Sequence, residues 1–293
     1  MGMSSERFAG QVVLVTGGAT GIGFGIARRF AREGARIVIS GRNRDRGEAA
    51  MKALRAEDAE CDFHQADLAV EADVVQLIER ITTDCGRLDV VVNNAGVGVR
   101  RSSVERTDDP GTRWQKMRGP NLDAPYFVSA HALPWLAQSR GSIVNISSTA
   151  AWHGNWGLYG VAKAGVEALT RAFAAEAGPH GVRVNGISPG WIATEIDAEA
   201  PAAGAGEWEM PPSLLQRVGT PDEIAAAAAF LASAEAAFIT AHTLVVDGGL
   251  LATDYPSMAM LSERADIVGA WPTGALQASD PAPPASDAGA ASE

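Results

Sequence analysis

Short apolar runs alternate with longer amphipathic stretches from about residue 10 to residue 250. QVVLV at 11–15 reads as a buried strand and IGFGIARRFAREG at 22–34 as a helix. ARIVIS at 35–40 is again a strand, followed by the helical NRDRGEAAMKALRAED. CDFHQAD, LDVVVNNAG, GSIVNISS, GVRVNGISPG and HTLVVDGG supply further strand signals, seven in all. Short β-branched runs separated by helices imply βαβ units and a parallel sheet covered on both faces. Right-handed crossovers then give an α/β, doubly wound, Rossmann-type layer. The repeat runs without a linker, so residues 8–250 are read as one domain.

Two stretches break the pattern. Residues 195–218, EIDAEAPAAGAGEWEMPPSLLQRV, are rich in Ala, Gly and Pro. A long irregular insert in a compact domain is usually functional, and this one is expected to be a lid with Trp208 and Met210 as apolar cover. After the last strand, 251–276 holds enough apolar residues to pack in part. The remainder, QASDPAPPASDAGAASE at 277–293, cannot bury much and is read as a disordered tail.

Composition narrows the function classes. The chain has 293 residues and a formal net charge of -11, which disfavours nucleic acid as a partner, because such binding relies on Lys and Arg against phosphates. The longest apolar runs are about half of the ~18–20 residues needed to span a bilayer, and the first ten residues show no secretory signal. The two cysteines, Cys61 and Cys85, lack metal-ligand spacing, so neither a disulfide framework nor a cysteine metal site is expected. A cytoplasmic protein with no membrane partner follows as the expectation.

Three local patterns carry chemistry. Thr16 to Gly23 reads TGGATGIG between a strand and a helix. There Gly17 would allow a tight turn, Gly21 would let the backbone approach a pyrophosphate and Gly23 would allow close helix–sheet packing, with the helix N-terminus turned to the phosphates. The second strand ends in Ser40, Gly41 and Arg42. A carboxylate there would bind ribose hydroxyls and repel a 2′-phosphate; instead Arg42 can pair with that phosphate, while Arg44 reads as a solvated residue at a helix start. NADP(H) is therefore the expected cofactor, with NAD(H) second. Tyr159 and Lys163 are four residues apart, so they share one helix face. A nearby ammonium lowers the pKa of a phenol, which then serves as acid or base toward a carbonyl or an alcohol.

Taken with NNAG at 93–96, NISS at 145–148, YGVAK at 159–163 and PG at 189–190, the glycine loop resembles the short-chain dehydrogenase/reductase family over roughly residues 8–250. The resemblance implies an oxidoreductase transferring a hydride between NADP(H) and a carbonyl or secondary alcohol. It implies Tyr159 as acid/base, Lys163 tuning it and holding ribose hydroxyls, and Ser148 rather than Ser147 meeting the reacting oxygen. Asn121, seven residues after Trp114, would support a proton relay, in a helix kinked or started by Pro120. The cofactor would lie against Gly17, Thr20, Gly21, Ile22, Gly23, Ser40 and Arg42. Asp67 and Leu68 match the adenine-contacting pair, Asn94, Ala95 and Gly96 the segment passing the adenine ribose, and Pro189, Gly190, Ile192 and Thr194 the nicotinamide side. The gap of 11 residues from Ser148 to Tyr159 is shorter than is common in the family and implies a tighter loop.

Trp152, His153, Trp156, Trp191 and Trp208 fall in segments expected to line the substrate site, which favours an apolar or cyclic carbonyl or alcohol. The apolar helices carrying Asn121 and Tyr159, with Val166, Leu169, Ala172 and Phe173 adding to their surface, imply a homotetramer, or failing that a dimer. Two other readings remain: a regulatory protein that senses NADP(H), and a non-redox enzyme on the same scaffold. Such relatives tend to lose the Tyr or the Lys, or to replace the glycine loop; all three are intact here.

Overall fold

Seven strands form one sheet in the order β3-β2-β1-β4-β5-β6-β7: β1 Val12–Thr16, β2 Arg36–Gly41, β3 Cys61–Gln65, β4 Val90–Asn93, β5 Ser142–Ile146, β6 Arg183–Pro189 and β7 Thr243–Val246. Every neighbouring pair is parallel. The helices are α1 Gly21–Arg32, α2 Arg44–Arg55, α3 Glu71–Cys85, α4 Pro110–Arg118, α5 Ala124–Ser139, α6 Gly157–Ala177 and α7 Pro221–Ala232. This is a computed structural model that describes residues 6–99, 102–194 and 213–253. Residues 195–212 of the expected lid at 195–218, with Trp208 and Met210, and all of the extension and tail from 254 onward lie outside the described residues.

Alternate residues of one strand feed opposite cores, which is why the strands read as continuous apolar runs. Val13 and Val15 of β1 pack with Ile26 and Phe30 of α1 and with Ile224 and Ala228 of α7. Val12 and Leu14 face Ile78 and Ile81 of α3 and Val128 and Leu136 of α5. Full burial of each such side chain contributes roughly 1.5–3 kcal/mol. Strand order reverses at β1, with β2 and β3 on one side and β4 to β7 on the other. The loops after β1 and β4 therefore diverge, and ligands of open α/β sheets bind in the crevice so formed beyond the strands' carboxyl ends.

Two helices bear on the sequence reading. Pro120 does not start a helix: α4 runs into α5 through a π-bulge, Gly119–Asp123, so of the two expected alternatives it is an irregularity within a continuous helix that stands. The wider turn takes in a residue that cannot donate to an α-helical ladder. On α6, Val166 and Phe173 do not add to an exposed apolar face; both are buried, Phe173 within the core beside α5. Leu169 is half-buried against the same core and only Ala172 is exposed. The reason is that α4 and α5 both pack along α6, covering more of its circumference than an ordinary amphipathic helix loses. The large apolar side chains left exposed here are Tyr126, Leu158 and Val161. Among the described residues no helix is long and apolar enough to cross a membrane, and no cluster of His, Cys, Asp and Glu could hold a metal ion.

Candidate active site

The turn after β1 is braced from β4. Thr16 Oγ1 accepts from the backbone N–H of Asn94 (2.9 Å) and Ala95 (3.0 Å). Asn94 Nδ2 donates to the carbonyls of Thr16 (3.0 Å) and Gly17 (3.2 Å). Gly17 has φ +62°, a left-handed conformation suited to glycine. A Cβ on Gly23 would collide with the Gly17 carbonyl oxygen and with Asn94 Nδ2. The close packing expected of Gly23 is thus against the glycine turn itself. α1 opens after Thr20, whose side chain does not cap it, and its first turn carries no acid. Ile22 is half-buried against the core, beside a helix start whose dipole favours an anion.

At the end of β2, Ser40 is buried and its hydroxyl has no partner among the described residues. A Cβ on Gly41 would meet nothing within 4 Å. Arg42 is exposed, and its guanidinium meets no carboxylate among the described residues. Gln65 donates to the Arg42 carbonyl at 2.9 Å and accepts from Arg44 Nε at 3.4 Å. Arg42, Arg44, Gln65 and Asp67 line an open cleft of about 700 Å³. Arg44 is exposed, as expected of a residue at a helix start, and lines the same open cleft as Arg42. Asp67 accepts from the backbone N–H of Ala69 (3.2 Å), and Leu68 is buried in the core.

Four side chains converge beyond β4 and β5. Asn121, on the π-bulge, is 1% exposed; its Oδ1 accepts from Val97 N–H (3.0 Å) and its Nδ2 donates to the carbonyls of Val97 (3.1 Å) and Met117 (3.0 Å). A Cβ on Gly96 would lie 2.8 Å from Asn121 Oδ1 and 3.5 Å from Lys163 Nζ, so both groups crowd the same backbone. Lys163 donates to the Ile146 carbonyl at 2.9 Å, with Nζ 5.8 Å from the centre of the Tyr159 ring. Burial lowers its ammonium to about 8. Burial pushes the Tyr159 phenol upward, and a hydrogen bond with Ser148 pulls it back. Ser148 also accepts from Ala150 N–H at 3.1 Å. The shortened loop closes as two 3₁₀ turns, Thr149–Trp152 and Gly154–Trp156. Ser147 points elsewhere: it is buried and donates toward the Lys163 carbonyl (3.1 Å) and Glu167 Oε1 (3.3 Å).

An aromatic wall stands beside the phenol. The Trp156 ring is 6.2 Å from that of Tyr159 and 5.7 Å from that of Trp191. Trp152 and His153 are exposed at its edge. Pro189 ends β6, and Gly190 N–H donates to the Val246 carbonyl at 3.0 Å. Ile192 forms a bridge with Gly219 and turns toward the core.

One residue of this region is missed by the sequence reading. Glu167, one turn past Lys163, is buried. Its i+4 spacing from Lys163 was the one signal, but a lone acid on an amphipathic helix reads as solvated.

A sequence family described as enoyl-(acyl carrier protein) reductase matches residues 17–251. A 3-oxoacyl-[acyl-carrier-protein] reductase FabG from Chlamydia pneumoniae is 35% identical over 244 residues, covering 82% of this chain and 97% of the relative. A meso-2,3-butanediol dehydrogenase from Serratia marcescens is 36% identical over 253 residues, covering 85% and 97%. A solved structure described as a short chain dehydrogenase/reductase family protein superposes with a TM-score of 0.72 at 39% identity, covering 84% of this chain and all of the other.

Proposed function

The chain belongs to the short-chain dehydrogenase/reductase family, and from that premise we propose that it is an NADP(H)-dependent oxidoreductase acting on a carbonyl or secondary alcohol. The observation that carries this reading is the convergence of Tyr159 with a buried Lys163, whose Nζ lies 5.8 Å from the phenol ring, beside Ser148 just past the end of β5. A non-redox enzyme on this scaffold tends to replace the glycine loop or the Lys, and a cofactor sensor to lose the Tyr or the Lys, whereas Gly17, Gly21, Gly23, Tyr159 and Lys163 are all present. Tyr159 gives its proton to the carbonyl oxygen in reduction and takes it from the alcohol in oxidation. Ser148 donates to that oxygen as negative charge develops on it. Lys163 holds the ribose hydroxyls, and Asn121 fixes the Val97 segment beside Lys163 and supports proton return. Bound across the crevice, the nicotinamide supplies or accepts the hydride.

The cofactor would lie along Gly17, Thr20, Gly21, Ile22 and Gly23, pass Asp67, Leu68, Asn94, Ala95 and Gly96, and end at Pro189, Gly190, Ile192 and Thr194. The residues present suit a phosphorylated adenosine: Arg42 is a cation without a carboxylate partner among the described residues, on an open cleft, and Gly41 leaves room where a carboxylate would repel. Arg42→Ala should weaken NADPH roughly ten- to a hundredfold, as loss of a charge-assisted bond does, and leave NADH nearly unchanged. Gly41→Asp fits the open space and should shift preference toward NADH. Fluorescence titration with both cofactors measures this, and equal losses for the two in Arg42→Ala would refute Arg42 as the 2′-phosphate partner.

Two relatives are named for very different substrates, an acyl-carrier-bound 3-oxoacyl chain and a small diol. The Trp156 and Trp191 rings, tilted by 53° to each other, favour an apolar or cyclic substrate. A screen of cyclic and linear ketones, and of the corresponding alcohols, followed by NADPH absorbance, tests the whole reading; no turnover on any of them would reject it. The subunit is proposed to assemble as a homotetramer through the face carrying Tyr126, Leu158 and Val161. Light scattering should therefore report a multiple of 30.4 kDa; a monomer at micromolar concentration would refute it.

A further inference from the structure

Burying a carboxylate is costly unless its oxygens are hydrogen-bonded, and an apolar side chain of similar size would often fill the same space at lower cost. Glu167 is 8% exposed on the inner face of α6. Burial pushes its carboxyl upward, while Ser147, Arg171, Trp152 and Ser188 pull it down. Three of those groups come from separate segments of the site. Ser147 follows β5 and directly precedes Ser148; its Oγ lies 3.3 Å from Glu167 Oε1. Trp152 ends the first 3₁₀ turn after Ser148. Ser188 lies in β6, one residue before the Pro189–Gly190 turn, and its buried Oγ has no partner in good hydrogen-bond geometry among the described residues. The Glu167 carboxyl therefore sits where both strand ends and the tryptophan loop meet the helix that carries Tyr159 and Lys163.

We propose that Glu167 is a positioning residue for the reaction: by holding the Ser147 hydroxyl it fixes the end of β5 so that Ser148 meets the Tyr159 phenol. Glu167 touches neither substrate nor cofactor in this role. The inference rests on the reading of Ser148 and Tyr159 as the reacting pair.

The test compares Glu167→Ala, Glu167→Gln and Ser147→Ala in the full chain. A displacement of a reacting group by an ångström can cost about a hundredfold, so Glu167→Ala should lower kcat by about ten- to a hundredfold while the NADPH dissociation constant stays within about twofold. Glu167→Gln retains an acceptor for Ser147 and should recover most of kcat. Ser147→Ala, which removes little volume, should reproduce the loss and serves where Glu167→Ala does not fold. Wild-type kcat in Ser147→Ala, or a loss of equal size in Glu167→Gln and Glu167→Ala, overturns the proposal. A second readout needs no turnover: the ultraviolet titration of Tyr159, taken as the difference between each protein and its Tyr159→Phe counterpart. Without the Ser148 bond the phenol should titrate higher in Glu167→Ala and Ser147→Ala than in the wild type and Glu167→Gln. An unchanged phenol in both alanine variants overturns the proposal even if the redox reading holds. A raised phenol supports it even if the substrate screen finds no turnover.

Discussion

Tyr159→Phe should abolish turnover, lowering kcat by about 10²–10⁴-fold, the usual contribution of a positioned acid or base. The variant keeps the ring that faces Trp156 and removes only the hydroxyl. NADPH affinity should therefore stay close to that of the wild type, since the ribose contact belongs to Lys163. Retention of a tenth of wild-type kcat would remove Tyr159 from the acid/base role. The direction in which its pKa moves adds a second expectation. Burial raises the phenol more than the Ser148 bond lowers it, so at neutral pH it is protonated and ready to donate. Carbonyl reduction should then be flat near neutrality, whereas alcohol oxidation, which needs a proton acceptor, should climb with pH. Initial rates in both directions across about pH 6–10 read this out, and parallel profiles would contradict it.

Lys163→Met should also eliminate useful turnover, and unlike Tyr159→Phe it should weaken NADPH, because one side chain serves both purposes. It should change stability as well. The Lys163 ammonium titrates at about 8 in the folded protein, against an ordinary 10.5, because burial disfavours its charge. The unfolded chain therefore binds more protons between those values, and wild-type stability must rise with pH across that interval. Below about pH 8 the wild type bears the full penalty; above the ordinary lysine range it bears none. Lys163→Met carries no such ionisation. The stability of the wild type relative to the variant should thus improve on going from about pH 7 to above the ordinary lysine range. The gain should be on the order of 3 kcal/mol, because a tenfold change in proton affinity corresponds to about 1.4 kcal/mol. Denaturant midpoints of both proteins at several pH values measure the difference. A gap that stays constant with pH would mean that Lys163 is not buried as a cation.

The sheet was readable in the sequence because each buried strand advertises itself on both faces. Val12 to Val15 need no partner to identify them as a strand, for every one of them must be apolar to sit between two helical layers. Tyr159 and Lys163 were readable because their spacing is a property of the helix. The site residues that escaped, or were misjudged, depend on what packs against them. Glu167 looks like any acid on an amphipathic helix until the ends of β5 and β6 bring Ser147 and Ser188 over it. Val166 and Phe173 look like interface residues until α4 and α5 are seen to cover them. Pro120 signalled an irregularity, yet the kind of irregularity was set by the need to bury both Asn121 and the face of α5 that follows.

That bulge makes the rotational phase of one helix independent of the next. A single residue advances an α-helix by about 100°, so deleting one residue from 119–123 would turn α5 by that angle relative to α4. Either Val128, Ala132 and Leu136 would leave the sheet, or Asn121 would swing away from the Val97 backbone. The surplus residue thus acts as a spacer inserted into a screw. It lets the thread before it be set by the site and the thread after it by the core, and a variant lacking it could keep one alignment only by giving up the other.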